Sequence, residues 1–169
     1  MYILKSLSLI LIFFTSMLIG RYIAMQYLYR LRELEDIKNA LNIFKSKIKF
    51  TYEPIPIIFE EIAKSTSSNI SKLFFNAKEK MKDKNASIAW DEVTDEYKGN
   101  INKEDKQALK YLSKSLGNSD VEGQINQIEL TETFIDKQIL DAEKEKNKNF
   151  KLFKKLGATI GIAIVIILL

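Results

Sequence analysis

The amino-acid sequence predicts an all-α protein, a helical bundle set between apolar helices at the two ends of the chain. Three observations carry this. Apolar residues recur at steps of three and four through nearly all of the middle. No stretch alternates convincingly with a period of two, so no sheet is expected. The two ends, residues 6–20 and 156–169, are uncharged runs rich in leucine and isoleucine.

The first end carries only Lys5 before Arg21. A membrane span needs roughly 20 mostly apolar residues, and a lysine near one end can reach back to the headgroups. Tyr2 at one end and Tyr22, Tyr27 and Tyr29 beyond the other are placed like interfacial aromatics. A cleaved signal peptide is the competing reading, but no A-x-A pattern follows the core; the exit reads Met17-Leu18-Ile19-Gly20-Arg21.

At the other end, residues 156–169 would reach only about 21 Å as helix, short of a hydrocarbon core of roughly 30 Å. Extending back to Phe150 gives a twenty-residue segment whose Lys151, Lys154 and Lys155 can extend to the headgroups. The alternative is a buried helix, but a run of isoleucine, leucine and valine without a polar face is hard to pack on a small domain. Gly157 and Gly161 form a GxxxG pair with Ala158 and Ala163 nearby, a candidate face for close helix packing in lipid. The domain reading is therefore 1–23 transmembrane helix, 24–149 helical bundle and 150–169 transmembrane helix. Arg21, Arg30, Arg32 and Lys38 follow the first segment, and Lys144, Lys146, Lys148, Lys151, Lys154 and Lys155 precede the second. Positive flanks stay inside, so the bundle is expected in the cytoplasm, with both termini outside.

Within the bundle, Leu34, Ile37, Leu41, Phe44 and Ile48 form one stripe, in a helix that can continue the first apolar segment. Tyr52-Glu53-Pro54-Ile55-Pro56 breaks it, since proline lacks the amide donor and restricts its predecessor. Pro56 can open the next helix, with Phe59, Ile62 and Ala63 on one side. A turn of capping residues, Ser65-Thr66-Ser67-Ser68-Asn69, leads to a stripe of Ile70, Leu73, Phe74, Ala77 and Met81. Asn85 is read as the cap of a helix carrying Ala89, Trp90, Val93 and Tyr97, stopped near Gly99. Asn102 is read as the cap of the next, with Leu109, Leu112 and Leu116 inward and Gly117 as its stop. Ser119 and Glu122 have capping-box spacing ahead of Val121, Ile125, Ile128, Glu132, Ile135, Ile139 and Ala142. Glu132 breaks that stripe and is expected at an edge or in a local ion pair. The stripes at 34–48 and 121–142 are expected to pack together, Leu41 near Ile135.

Composition narrows function. The chain has no cysteine and no histidine, which removes disulfides, thiol nucleophiles and the commonest general base and metal ligand. Five of its 26 basic residues (Lys5, Arg21, Lys151, Lys154 and Lys155) lie in or beside the apolar ends. The other 21 lie between residues 22 and 150 with all 22 acidic residues, leaving the middle at net −1. Nucleic acid therefore finds no basic face. No glycine-rich phosphate loop occurs, and no serine has a histidine partner. The acid pairs Glu60/Glu61, Asp91/Glu92, Asp95/Glu96 and Glu104/Asp105 read as solvated polar faces among lysines, and Trp90 as core. No enzyme, no cofactor and no metal site is expected.

An ordered set of residues resembles the stage III sporulation protein AB family of endospore-forming bacteria. It begins at Tyr52 and the pair Pro54 and Pro56, then Ile62-Ala63, Leu73-Phe74 and Ala89-Trp90. Its most specific part is Leu116-Gly117 with Asp120, Gln124, Ile128 and Leu130. It ends at Ala142, Asn147 and Lys155-Leu156-Gly157 with Gly161. The likeness spans essentially the whole chain, though the first apolar segment and residues 75–85 match only in character. It implies a component of the channel-like complex joining mother cell and forespore, in the mother-cell or outer forespore membrane. The family is similar to the inner-membrane platform protein of type II secretion and type IV pilus machines. The partners this implies are the complex's cytoplasmic ATPase and other membrane proteins of the same complex. Self-association fits both the GxxxG pair and a platform role. Fold analogy is a weak warrant for mechanism, and no catalytic residue is carried over. Two other classes fit the same residues: a membrane-tethered signalling adaptor with a soluble partner, and a cell-surface helical domain left after signal cleavage.

Overall fold

The computed structural model describes the backbone of residues 2–66 and 69–168, and side chains from residue 4 on. The expected ring placement of Tyr2, the Ser67-Ser68 centre of the capping turn and the terminal Leu169 lie outside the described residues. Among those described there are six α-helices and no strand: α1 (Tyr2–Phe50), α2 (Ile55–Ser65), α3 (Asn69–Lys80), α4 (Ala86–Glu96), α5 (Lys103–Lys110) and α6 (Val121–Leu168). A 3-10 turn, Tyr111–Lys114, follows α5. The all-α expectation holds.

The chain forms two compact units, one of Met1–Leu31 with Ala142–Leu169, the other of Arg32–Asp141. In the first unit α1 and α6 run antiparallel. Gly20 meets Gly157, the rings of Tyr27 and Phe153 stack at 5.9 Å, and Arg30 pairs with Glu145 at 2.7 Å. From Leu4 on, α1 contains a stretch long and apolar enough to cross a membrane, and only 17% of it is buried. Leu7, Leu11 and Leu18 stand exposed on it, as do Ile160, Ile166 and Ile167 on α6. A core helix of a water-soluble protein would cover such side chains, each worth roughly 1.5–3 kcal/mol when buried. For α1, long and apolar enough to span, hydrocarbon would give that cover without protein.

In the second unit every residue of the first stripe, Leu34, Ile37, Leu41, Phe44 and Ile48, is buried. Across from it on α6 lie Ile128, Thr131 and Ile135, also buried. Ion pairs Lys38–Asp136 (2.6 Å) and Lys45–Glu132 (2.5 Å) flank the seam and set the two segments antiparallel. Glu132 is thus a local ion pair, as its place in the stripe suggests. Val121, expected on the stripe, is exposed. The core is aromatic: the Phe59 ring stands edge-on to Phe44, Phe74 and Trp90 at 5.1, 5.0 and 5.4 Å. Such pairs add about 0.5–1.5 kcal/mol beyond their burial.

Local signals explain the boundaries. Thr51 closes the last turn of α1 and Tyr52 then takes a left-handed φ of 55°, which reverses the chain. Pro54 caps α2, and Pro56 occupies an early position whose missing N–H needs no helical partner. Asn85 accepts from Ile88 N at 2.9 Å, and Asn102 and Asp105 form a reciprocal capping box. Other details at the helix ends also differ from the sequence reading. Met81 lies one residue past the end of α3 and is half-buried. Tyr97 lies just past the end of α4, and its hydroxyl donates to Glu33 at 3.0 Å. The helix expected to end at Gly117 closes at Lys110 and tightens into the 3-10 turn before Gly117 takes φ 73°. Asp105 is fully buried rather than solvated, because the capping box folds it inward.

Candidate functional site

Two helix backbones come very close together in the first unit. A Cβ built on Gly20 would fall 2.7 Å from Gly157 Cα, and one on Gly157 would fall 2.9 Å from both Gly20 Cα and the Ser16 carbonyl. Only glycine permits backbones this near. The Ser16 hydroxyl donates to the Gly157 carbonyl at 2.7 Å. Gly161 is the next small position on the seam, facing Phe13 and Ser16. The structure therefore sets Gly157 and Gly161 against α1 of the same chain. Ser16 and Gly20, four residues apart, complete the seam. The sequence reading passes over them, although their spacing is the small-xxx-small signal itself.

The polar centre of the second unit is Glu33, buried on α1. Its carboxylate accepts from Asn100 N and Asn100 Nδ2, both at 2.7 Å, from the Tyr97 hydroxyl at 3.0 Å and from Asn69 Nδ2 at 3.3 Å. Burial, and then the Glu33 charge, push the Tyr97 phenol well above its ordinary range, so it stays a neutral donor. This network ties the segment after α4 and the start of α3 to α1. Nothing in the sequence around Glu33 marks it, because all its partners lie far along the chain.

The remaining sequence-derived positions serve the bundle. Trp90 is fully buried and its indole N–H donates to the Leu109 carbonyl at 2.9 Å. Leu116 is buried beside the left-handed Gly117. Asp120, not Ser119, takes the capping position of α6: its Oδ1 accepts from Gly123 N at 2.9 Å. The Ser119 hydroxyl is already given to the Ser115 carbonyl at 3.0 Å. Gln124 Nε2 donates to the Ser119 carbonyl at 3.0 Å. Pro54 and Pro56 sit at the start of α2, and the structure does not gather them with Trp90, Leu116 or Asp120 into a pocket.

Lysines accompany most of the paired acids. The Lys84 and Lys80 ammoniums hold the Glu92 carboxyl below its usual range, and bonds from Lys64 and then Lys78 do the same for Glu60. Glu96, then Glu92, raise Lys80, and Asp95 raises Lys110. Among the described residues no group of three or more metal-ligating side chains converges. These are ion pairs of a polar surface.

A helix fit for a membrane, a bundle built around aromatic and buried polar contacts, and surface acids held by lysines define a membrane-associated, all-α protein. The chain belongs to the stage III sporulation protein AB family, whose model matches residues 5–169. Stage III sporulation protein AB of Bacillus subtilis (strain 168) is 26% identical over 171 residues, covering 98% of this chain and 99% of the relative. A solved structure of stage III sporulation protein AB (SpoIIIAB) aligns with a TM-score of 0.62 at 24% identity, over 70% of this chain and 96% of its own. That second likeness is one of fold. The family read from the ordered set between Tyr52 and Gly161 is the family found, and its name is that of a sporulation protein, not of an enzyme.

Proposed function

We propose that this protein is a non-enzymatic membrane platform of the mother cell–forespore channel complex, docking a cytoplasmic ATPase through its central helical domain. The observation that carries the reading is the family match over essentially the whole chain, apolar ends included. Exposed leucines and isoleucines at both ends support two membrane helices, and the lysine- and arginine-rich flanks support a cytoplasmic domain between them. On this reading the Gly20–Gly157 seam packs the two membrane helices, with Gly161 and Ser16 extending it. Trp90, Leu116, Gly117, Asp120 and Gln124 then act by keeping the docking domain rigid, and no residue of the chain does chemistry.

The test is affinity capture of the tagged protein from sporulating membranes, with the co-purifying proteins identified by mass spectrometry. Recovery of the channel complex's ATPase and its membrane neighbours is the expected result. Reproducible recovery of an unrelated signalling protein, without any channel component, would overturn the platform reading in favour of a tethered adaptor.

A further inference from the structure

Just before α6 enters its apolar run, the first unit holds a recess of about 380 Å³ lined by Leu28, Lys146, Asn147, Phe150 and Lys151. That volume lies in the roughly 300–1,000 Å³ range of sites for small molecules. Its lining is one-sided: two lysines, an asparagine and two apolar residues, with no acidic residue. Other recesses differ. The one lined by Lys72 and Lys98 includes Glu96, and Lys110 in another is held by Asp95 at 2.6 Å. Among the described residues no ion pair involves Lys146 or Lys151, and the adjacent Glu145 is taken by Arg30 at 2.7 Å.

From these features we infer that the recess binds the headgroup of an anionic phospholipid. The inference rests on the membrane reading above. The uncharged run of α6 begins at Leu156, and Lys151, Lys154 and Lys155 just before it mark the approach to the edge of the hydrocarbon core. Side chains on a helix lean toward its N-terminus, which on α6 is away from the apolar run. The Lys146 and Lys151 ammoniums therefore fall at headgroup depth, where a phosphate is the available anion. Asn147 can donate to an ester or glycerol oxygen, and Leu28 and Phe150 offer apolar surface to the first methylenes. A basic recess between two membrane helices recognises lipid phosphate in this way.

The test uses the full chain purified in detergent, with retained lipid read by native mass spectrometry after adding phosphatidylglycerol or phosphatidylcholine. The wild type is expected to retain phosphatidylglycerol in preference. K146Q/K151Q should weaken that retention about thirtyfold, since each lysine near an anionic surface contributes about fivefold. K146R/K151R, which keeps the charge, and K72Q/K98Q, which removes the same charge elsewhere, should both behave as wild type. Equal retention by K146Q/K151Q and wild type would overturn the inference. So would equal loss in K72Q/K98Q, or displacement of the lipid by millimolar inorganic phosphate. Alkaline carbonate extraction of the wild type separates the two levels. Release of the protein would remove the membrane reading and this site with it, whereas resistance combined with no lipid preference would remove the site alone.

Discussion

Gly20 and Gly157 approach until a methyl group on either would lie within 3 Å of the other's Cα. Neither helix can accept a side chain there without moving apart. Gly157→Leu or Gly20→Leu should open the seam, cost about 1–3 kcal/mol from overpacking, and lower the melting temperature of the detergent-solubilised protein by several degrees. Exposed Ile162→Leu should change it little.

The same seam can be locked. A Cβ on Gly161 would lie 3.2 Å from Ser16 Cβ, a few tenths of an ångström short of the roughly 3.5–4.5 Å of a disulfide, so a small separation of the helices admits the bond, and the chain has no cysteine of its own. Ser16→Cys with Gly161→Cys should oxidise to a bond within one chain, seen as a faster-migrating monomer on non-reducing gels. A disulfide-linked dimer instead would assign the glycine face to a second copy.

Glu33 should be costly to remove. Glu33→Ala strands the donors of Tyr97, Asn100 and Asn69, a loss of about 2–4 kcal/mol, read as a lower urea midpoint with unchanged slope. Glu33→Gln keeps the shape and should lose less.

Alkaline stability reports Tyr97. Its folded pKa is raised, so the stability it carries is complete below about pH 10 and is lost as pH rises beyond that, where the unfolded chain ionises first. Raised lysines such as Lys80 and Lys110 act in the same direction. Tyr97→Phe isolates the phenol: above pH 10 the variant's stability should fall more slowly than the wild type's, by up to one proton's worth per pH unit.

Caps discriminate between neighbours. Asp120→Ala should cost about 1 kcal/mol through the start of α6, and Ser119→Ala less, since Ser119 bonds back to Ser115 and not forward into the helix.

Which of these features a sequence can reveal follows from how local their causes are. The stripe from Leu34 to Ile48 is legible because period 3.6 is imposed residue by residue, and Asn85 and Asn102 are legible because a cap needs only its next three residues. Asp120 and Ser119 both satisfy capping chemistry, and a contact with Ser115 decides between them. Glu33 is illegible because its partners lie 36 to 67 residues away, and on α1 it looks like any acid of a polar face. Ser16 and Gly20 show the right spacing but sit where the apolar run meets Arg21, which reads as the end of a span. Gly157 and Gly161 are legible as a packing face, but what they pack against becomes visible only when both helices are seen together.

The platform account stands on topology, and single cysteines in this cysteine-free chain report it without background. Leu4→Cys and Asn118→Cys, both at exposed positions, would each be treated with a membrane-impermeant maleimide in intact cells and after permeabilisation. The account predicts that Cys at position 4 is labelled in intact cells, and at position 118 only after permeabilisation. Labelling of position 118 in intact cells would place the central domain outside and contradict the account.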